Sequence, residues 1–249
     1  MINAAQMLTA YDQQMRGWIP ADPPAGFDYQ QVGPLLRIVG QQRGFIDPPV
    51  DVGLRGSDLD DLIARQRDFF AARGEAVEWK TRAHDLPSDL PQRLSAAGFV
   101  PEDTETVLIG VSEQMATDPV LPPGVSLRQV SGRADFERIA AMESQVWNAD
   151  WSWLAEDLLT RVTAAPSDVV VLVAEAEEQV VSAAWLVGKP GTQFAGLWGG
   201  STLAQWRGRG IYRALVARRA QLARERGVRY LQVDASKDSK PILVRLGFM

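Results

Sequence analysis

Cysteine is absent from this chain of 249 residues, and histidine occurs once, at His84. Without cysteine the chain has no disulfide, no thiolate metal ligand and no cysteine nucleophile. A single histidine also argues against a histidine-based metal site and against a Ser-His-Asp triad. We therefore expect no bound metal, and we expect any chemistry to use carboxylates, backbone groups or a cofactor.

Long apolar runs and a surplus of positive charge are missing too. The longest purely apolar run, residues 169–174, is far shorter than the roughly 20 residues that span a bilayer. The first residues, Met-Ile-Asn-Ala-Ala-Gln, have neither a basic start nor a long apolar core. The formal net charge of -5 argues against nucleic acid as a partner. We expect a cytoplasmic protein that binds neither membranes nor nucleic acid, and cationic small molecules suit its charge.

An internal repeat divides the chain into two similar parts. Residues 58–74 and 210–227 both carry apolar residues at the spacing of one buried helix face, and both end in Arg-Gly. Each leads through a strand-like run to a second helix that ends in Gly-Phe, at residues 98–99 and 247–248. The repeated unit is therefore a strand, a glycine-containing turn, a helix, a strand and a second helix.

A proline-rich segment separates the two copies. Residues 117–124 contain three prolines and one glycine, a composition typical of a linker. Apolar residues make up 46% of the chain, enough to supply two cores. The alternation of strands and helices predicts an α/β fold with at least one parallel pair of strands joined by a right-handed crossover. We therefore predict two domains, 1–116 and 124–249.

The sequence Gln205-Trp-Arg-Gly-Arg-Gly210 lies between a strand-like stretch and an amphipathic helix. A turn that enters a helix presents unpaired backbone N–H groups and the positive end of the helix dipole. Glycine lets such a backbone approach a phosphate closely. The loop is therefore a candidate site for a phosphate-bearing ligand, although Gly208 and Gly210 could also serve only to form a tight turn.

This loop, the strand and helix after it, and the terminal Leu246-Gly-Phe248 resemble the GNAT superfamily of acetyl-CoA-dependent N-acetyltransferases. The cofactor loop of that family reads Gln/Arg-x-x-Gly-x-Gly/Ala. The resemblance is specific over residues 194–248 and looser from residue 125. Together with the repeat, it implies two GNAT-like domains, each a mixed sheet flanked by helices, with acetyl-CoA as co-substrate and an amine as acceptor.

By the same resemblance, loop N–H groups would bind the CoA pyrophosphate. A bulge in the preceding strand would contact pantetheine, and that strand would diverge from the next one to admit the thioester. Ser236 stands where the family often has an asparagine that touches the cofactor; its alternative role is a helix cap. The residues placed along the cofactor are Leu203, Gln205, Trp206, Arg207, Gly208, Arg209, Gly210 and Ile211.

The first domain is interpreted as a degenerate copy. When the two helices are aligned on their terminal Arg-Gly, Arg55 and Ser57 fall on the loop glycines Gly208 and Gly210. A side chain at either position would obstruct the close approach of a pyrophosphate. We therefore expect only the second domain to bind acetyl-CoA, as in tandem GNAT proteins with one inactive half.

The resemblance implies direct attack of a neutral amine on the thioester, which suits a chain without cysteine. An alkylamine of pKa about 10.4 is mostly protonated at pH 7, so a carboxylate should accept its proton. Many relatives carry this base on the strand before the loop, but residues 194–203 contain no carboxylate. Asp234 is the first candidate for the base, followed by Glu143 and Asp150. Each could instead be a surface carboxylate or a helix cap.

Another departure from the family pattern leaves two classes of function open, an enzyme and a non-catalytic binding protein. Leu243 occupies the place where relatives commonly have a tyrosine that protonates the departing thiolate. We predict an N-acetyltransferase acting on an amine of a small molecule or peptide; the alternative is a non-catalytic acyl-CoA-binding sensor or scaffold. A tryptophan group could form an aromatic wall for the acceptor or belong to the core: Trp147, Trp151 and Trp153.

The two copies of the repeat end differently. After Gly-Phe, the first continues into residues 106–110, a strand-like run that we expect to pair with the first sheet, whereas the second has only Met249. An unpaired position in a sheet is normally covered or paired. We therefore expect the open position of the second sheet to be filled by the first domain, by another subunit of a homo-oligomer, or by residues after Met249.

Overall fold

A computed structural model describes residues 3–249 and divides the chain into two compact units, Met1–Thr104 and Glu105–Met249. Each unit contains one mixed sheet, with four strands in the first unit and six in the second. Each unit also has its own cluster of buried apolar residues. The α/β architecture with mixed sheets and flanking helices is confirmed.

The first unit builds a small sheet around one long helix. Its strands lie in the order β1-β2-β3-β4, with β3 and β4 parallel and the other neighbours antiparallel. Helix α2 is the crossover between β3 and β4, and it buries Leu59, Ile63 and Phe70 at the spacing of one helix face. The elements are α1 (Ala4–Gln14), β1 (Asp28–Val32), β2 (Leu35–Val39), β3 (Gly44–Asp47), α2 (Gly56–Ala72), β4 (Val77–Trp79) and α3 (Leu90–Ala96).

The second unit is a larger sheet in the order β5-β10-β9-β8-β7-β6. Only β9 and β10 are parallel neighbours, and α7 is the crossover that joins them. Its strands are β5 (Thr106–Val111), β6 (Ser126–Val130), β7 (Val169–Ala176), β8 (Gln179–Gly188), β9 (Phe194–Thr202) and β10 (Tyr230–Ala235). Its helices are α4 (Ser112–Met115), α5 (Arg133–Trp147), α6 (Leu154–Ala164), α7 (Ile211–Glu225) and α8 (Lys240–Arg245), with a 3-10 turn at Ala204–Trp206.

The repeat found in the sequence has the same order of elements in both units. Three antiparallel strands lead to a crossover helix, a parallel strand and a short helix: β1-β2-β3-α2-β4-α3 in the first unit and β7-β8-β9-α7-β10-α8 in the second. Both crossover helices are followed by a glycine with positive φ, 66° at Gly74 and 72° at Gly227. That left-handed conformation ends a helix and favours glycine. The shared Arg-Gly ending therefore has a structural cause.

Strand β5 corrects the expected pairing of residues 106–110. These residues pair with β10 of the second sheet, in antiparallel register from Thr106↔Ala235 to Val111↔Tyr230. Met249 lies at the other edge of β5, where Ile109 N–H donates to its carbonyl oxygen at 2.7 Å. The open position of the second sheet is thus filled by a segment from before the second copy of the repeat. The physical reason is that β10 lacks a neighbour on that side, so β5 satisfies its backbone groups.

The boundary between the units differs from the one predicted from the sequence, because β5 belongs to the second sheet. Residues 105–116, assigned to domain 1–116, belong to the second unit, and Leu108 and Met115 are buried in its core. Residues 117–124 are not the linker between the units, because they connect α4 to β6. Thr117 accepts a hydrogen bond from Gln221 Nε2 of α7 at 3.0 Å. The second unit therefore begins at Glu105 rather than at residue 124.

A comparison of two fragments tests this boundary. We expect fragment 105–249 to be folded and monomeric, and fragment 117–249 to aggregate, because the shorter fragment lacks β5 and exposes the edge of β10. Leu231 and Val233 of β10 are buried in the complete unit and would become accessible. Circular dichroism and size-exclusion chromatography measure both outcomes. Equal behaviour of the two fragments would contradict the assignment of β5 to the second unit.

Candidate functional site

The two parallel strands of the second unit, β9 and β10, form a cleft. They pair at only three positions, Phe194↔Tyr230, Ala195↔Leu231 and Gly196↔Gln232. Both strands continue past these positions, but they are no longer paired with each other there. The opening is at the carboxyl ends of the parallel strands, which is where α/β sheets commonly bind ligands.

A β-bulge lies on β9 beside this opening. Ala183 of β8 pairs with Ser201 and the next residue pairs with Gly199, so Gly200 is the extra residue on β9. Gly199 and Gly200 have φ angles of 66° and 95°, which favour glycine. A Cβ atom at Gly200 would lie 2.5 Å from the ring of Tyr212, so this tyrosine packs directly on the bulge.

The glycine loop turns the chain from β9 into α7. Gly208 and Gly210 have φ angles of 74° and 88°, and Gly210 is the N-cap of α7. A Cβ at Gly208 would meet nothing within 4 Å, and one at Gly210 would meet only the Val120 carbonyl oxygen at 3.8 Å. Ala214 N–H makes a helical bond to the Gly210 carbonyl at 3.0 Å, and no side chain caps the first turn. The backbone conformation therefore requires these glycines, and the space around the loop is open.

The side chains beside these glycines mostly support the shape of the loop. Arg207 Nε donates to the Thr202 carbonyl oxygen at 2.9 Å, and the Arg209 guanidinium lies 4.7 Å from the centre of the Trp206 ring. Among the other candidate residues, Leu203 and Ile211 are fully buried and Gln205 is exposed. Leu203 and Ile211 belong to the buried core of the second unit.

Ser236 lies in the turn between β10 and α8. Its hydroxyl oxygen accepts a hydrogen bond from the Ser239 backbone N–H at 3.3 Å. Ser239 is the N-cap residue of α8, and its own hydroxyl is 3.3 Å from that of Ser236. The contacts of Ser236 are thus those of a residue that stabilises the start of a helix, which is the alternative role considered for it.

The corresponding loop of the first unit has a different backbone. Helix α2 begins at Gly56, and its N-cap Arg55 has φ -141°, against 88° at Gly210. Positive φ angles occur instead at Gly53 and Gly56, 75° and 54°. The Arg55 guanidinium binds the Asp51 carboxylate at 3.0 and 3.1 Å. The left-handed glycines are therefore three residues apart in the first unit and two apart in the second.

Glu143 of α5 is a deeply buried carboxylate beside β9. It is 2% exposed, and its Oε2 accepts a hydrogen bond from Trp147 Nε1 at 2.9 Å. Its Oε1 makes no hydrogen bond of normal geometry among the described residues, although the Ser201 side chain lies close enough to interact with the carboxyl group. Burial raises the pKa of Glu143, and the neighbouring Ser201 and Trp147 side chains oppose that rise. Because Ser201 follows the bulge residue Gly200, the carboxyl group lies near the bulge of β9.

The other two candidate bases have different surroundings. Asp234 is half-buried on β10, where its Oδ1 accepts a hydrogen bond from Gln232 Nε2 at 3.2 Å. Asp150 is exposed in the connection between α5 and α6 and accepts a hydrogen bond from Ser152 N–H at 2.9 Å. Of the three carboxylates, Glu143 alone is buried with an oxygen that lacks a hydrogen bond. This arrangement favours Glu143 over Asp234.

Tyr212 is a polar group at the cleft that our sequence analysis did not identify. Its ring packs on Gly200, and its hydroxyl lies near the Ser239 side chain at the start of α8. Burial raises the pKa of Tyr212, opposed by the buried Arg219 cation and by Ser239. The phenol therefore keeps its proton at neutral pH. Leu243, at the position where a tyrosine is common in the family, is fully buried and contributes only packing.

Three tryptophans form a stack next to Glu143. The Trp147 and Trp151 rings are 6.3 Å apart with an interplanar angle of 26°, and the Trp151 and Trp153 rings are 5.2 Å apart at 30°. Trp147 is 58% exposed, whereas the other two are partly buried against the core. We call these three residues the tryptophan stack. The hydrogen bond from Trp147 to Glu143 joins the stack directly to the buried carboxylate.

A second polar cluster lies in the first unit, and its groups are paired with one another. Arg16 binds Asp12 and Asp85, each at 2.7 Å, and His84 Nε2 lies 2.9 Å from Asp12. These contacts support a structural role for His84. In residues 3–249, no group of three or more His, Asp or Glu side chains could hold a metal ion. In the same residues, no helix is both long and apolar enough to cross a membrane.

Comparisons with known proteins agree with the fold of the second unit and extend to the whole chain. Residues 135–248 match the Acetyltransferase (GNAT) family model. A GCN5-related N-acetyltransferase from Kribbella flavida is 18% identical, with a TM-score of 0.65 over 99% of this chain and 90% of its own. One from Sphaerobacter thermophilus is 17% identical, with a TM-score of 0.59 over 88% of this chain and 78% of its own.

A tandem protein has a similar structure. A tandem GNAT protein from the clavulanic acid biosynthesis pathway is 14% identical, with a TM-score of 0.60 over 91% of this chain and 81% of its own. No curated protein matches this chain. At these identities the solved structures establish the fold, and the family match covers α5 to α8 with the cleft and the glycine loop. The match to the GNAT acetyltransferase family model therefore lies within the second unit, over residues 135–248.

Proposed function

We propose that this protein is an acetyl-CoA-dependent N-acetyltransferase whose second unit binds the co-substrate and transfers its acetyl group to an amine of a small molecule or peptide. The observation that carries the proposal is the glycine loop at the start of α7 beside the cleft between β9 and β10. The loop can bind an anion, and the cleft can admit an extended chain that ends in a thioester. The family match over residues 135–248 covers all of these elements.

The loop has the chemistry that a pyrophosphate requires. Helix α7 spans 15 residues, so its first turn carries partial positive charge as well as free N–H groups. The left-handed glycines Gly208 and Gly210 keep side chains away from these N–H groups. The pantetheine arm would then follow β9 past the bulge at Gly200, where the strand's backbone is not paired with β10. We infer that CoA lies along this path.

Glu143 is the proposed general base. Acetyl-CoA supplies the thioester, and the amine must lose a proton as its nitrogen attacks the carbonyl carbon. Glu143 Oε1 lacks a partner and can accept that proton directly or through one water. Its raised pKa makes the carboxylate a stronger base than an exposed glutamate. Tyr212 lies beside the bulge and keeps its proton. It can therefore donate a proton to the departing thiolate, the role of the family tyrosine whose position Leu243 occupies here.

The first unit is proposed to bind no CoA. Its loop lacks the left-handed N-cap glycine, since Arg55 occupies the N-cap of α2 with φ -141°. The Arg55 side chain is also held by Asp51 next to the loop. A pyrophosphate would therefore not find the same set of unobstructed N–H groups. The first unit keeps the order of elements but not the geometry of the loop.

A transfer assay with the full chain tests the proposed activity. With radiolabelled acetyl-CoA and a panel of primary amines, we expect label in the amine and release of free CoA thiol, with a rate that rises with pH as the base and the amine lose protons. CoA binding without transfer to any amine would instead support the sensor or scaffold. Two features favour that alternative: Leu243 replaces the expected tyrosine, and β9 contains no carboxylate. Absence of CoA binding would contradict both functions.

A further inference from the structure

We propose that the tryptophan stack is a cation-binding subsite and that the acceptor carries a second positive charge besides its reacting amine. The proposal rests on the proposed function only for calling the ligand an acceptor. The subsite itself can be tested by binding alone. Its elements are the exposed face of Trp147, the end of α5, the carboxyl group of Glu143 bonded to that tryptophan, and Asp150 three residues later in the chain.

The exposed indole of Trp147 is held in a fixed orientation. Stacking on Trp151, which in turn stacks on Trp153, restricts the ring from one side. The hydrogen bond from its Nε1 to Glu143 restricts it along the edge. An indole face is the aromatic surface that attracts cations most strongly. Trp147 therefore offers a preorganised surface while remaining 58% exposed.

Negative charge follows this indole along the chain. Trp147 is the last residue of the 15-residue helix α5, and the end of a helix carries partial negative charge. Asp150 follows in the exposed connection, where hydrogen bonds from Ser152 lower its pKa, so it is ionised at neutral pH. A neutral aromatic ligand could also stack on Trp147, but it would gain nothing from these charges. The charge complementarity favours a cation.

Glu143 provides an independent sign that a polar ligand binds here. A carboxylate at 2% exposure with one oxygen lacking a hydrogen bond is uncommon, because leaving a buried acceptor unsatisfied is costly. An ammonium or amine N–H group placed at Oε1 would supply the missing bond. Since Trp147 contacts the other oxygen of the same carboxyl group, the reacting nitrogen and a second cation on the indole would be separated by only a short spacer.

A comparison of two amines of nearly the same shape separates the effect of positive charge on binding from the effect of ligand size. (2-Aminoethyl)trimethylammonium has a permanent positive charge, and 3,3-dimethylbutylamine has a neutral tert-butyl group in its place. We expect the full chain to bind the cationic amine about fivefold to thirtyfold more tightly, the range of a partly to fully desolvated cation–π contact. Isothermal titration calorimetry measures both dissociation constants, and tryptophan fluorescence reports contact with the stack.

Two substitutions of Trp147 provide the matched comparison. Trp147→Ala should remove the preference for the cationic amine, whereas Trp147→Phe should keep part of it, because a phenyl face attracts cations more weakly than an indole. Circular dichroism verifies that both variants remain folded. An unchanged preference in Trp147→Ala would overturn the proposal, and so would equal binding of the two amines, or no binding of the cationic one, in the unsubstituted protein.

The same two amines distinguish failure of this inference from failure of the proposed function. If the cationic amine binds preferentially at Trp147 but neither it nor any other amine of the panel receives an acetyl group, the subsite is supported and the transferase activity is contradicted. If both amines are acetylated with equal KM, the activity is supported and the cation subsite is contradicted. A lower KM for the cationic amine that depends on Trp147 supports both.

Discussion

Gly210→Glu is expected to abolish the binding of CoA, with a loss of about a hundredfold or more in affinity, or roughly 2.7 kcal/mol. Gly210 has φ 88° and stands at the N-cap of α7. Glutamate strains this left-handed backbone and places a negative charge where the pyrophosphate is proposed to bind. Calorimetry with CoA and the CoA-induced rise in melting temperature measure the effect.

The matched control lies in the first unit. Ser57 aligns with Gly210 in the sequence, but in the structure the N-cap of α2 is Arg55 and Ser57 lies two residues later. Ser57 is exposed in the first turn of α2 and can accept a carboxylate because negative charge stabilises the start of a helix. Ser57→Glu should therefore leave CoA binding unchanged. Gly210→Ala adds the backbone strain without the charge, so an intermediate affinity is expected. The opposite pattern, with binding lost only in Ser57→Glu, would place the CoA site in the first unit.

The glycine loop was predictable because its signals are local. The chain needs left-handed conformations at two nearby positions before a helix, and glycine is the residue that adopts them readily. Gly208 and Gly210 have these conformations. The crossover helices and their terminal glycines were predictable for the same reason. Apolar spacing and a positive φ after the helix are properties of short segments, independent of the rest of the fold.

The partner of β5 was not predictable from such signals. Residues 106–110 have the composition of a strand, but composition does not determine which sheet a strand joins. That choice depends on which sheet has an unpaired edge, and β10 of the second unit had one. The expected need for a covering strand was correct, whereas the expected pairing of residues 106–110 with the first sheet was wrong.

The candidate general base was also only partly predictable from the sequence. Asp234 stood out in the sequence because it ends the strand beside the cleft, and its role as base remains a prediction. Glu143 was ranked behind it, although its position gave a usable signal. It lies four residues after Ile139 and seven after Phe136, both fully buried, so it falls on the buried face of α5. The lack of a partner for Oε1 depends on the packing of α5 near β9, which sequence spacing does not reveal.

Glu143→Gln is expected to lower kcat by about a hundredfold or more, the effect of removing a general base, while CoA affinity stays nearly unchanged. Glutamine keeps an oxygen that can accept the hydrogen bond from Trp147 Nε1 but cannot take a proton from the amine. In the unsubstituted protein the rate should rise as pH passes through the raised pKa of Glu143, because only the ionised carboxylate acts as a base. In the variant, only the rise due to the amine should remain.

The melting temperature of Glu143→Gln, measured as a function of pH, distinguishes the loss of a general base from a loss of structure. Burial raises the pKa of Glu143 in the folded state, so the folded protein holds this proton over a pH range in which the unfolded chain has released it. The free energy of unfolding therefore falls as pH rises through that range, and Glu143→Gln lacks this penalty. The melting temperature of the variant, relative to the unsubstituted protein, should increase with pH. Asp234→Asn is the matched control, and a large fall in kcat there, with activity retained in Glu143→Gln, would identify Asp234 as the base instead.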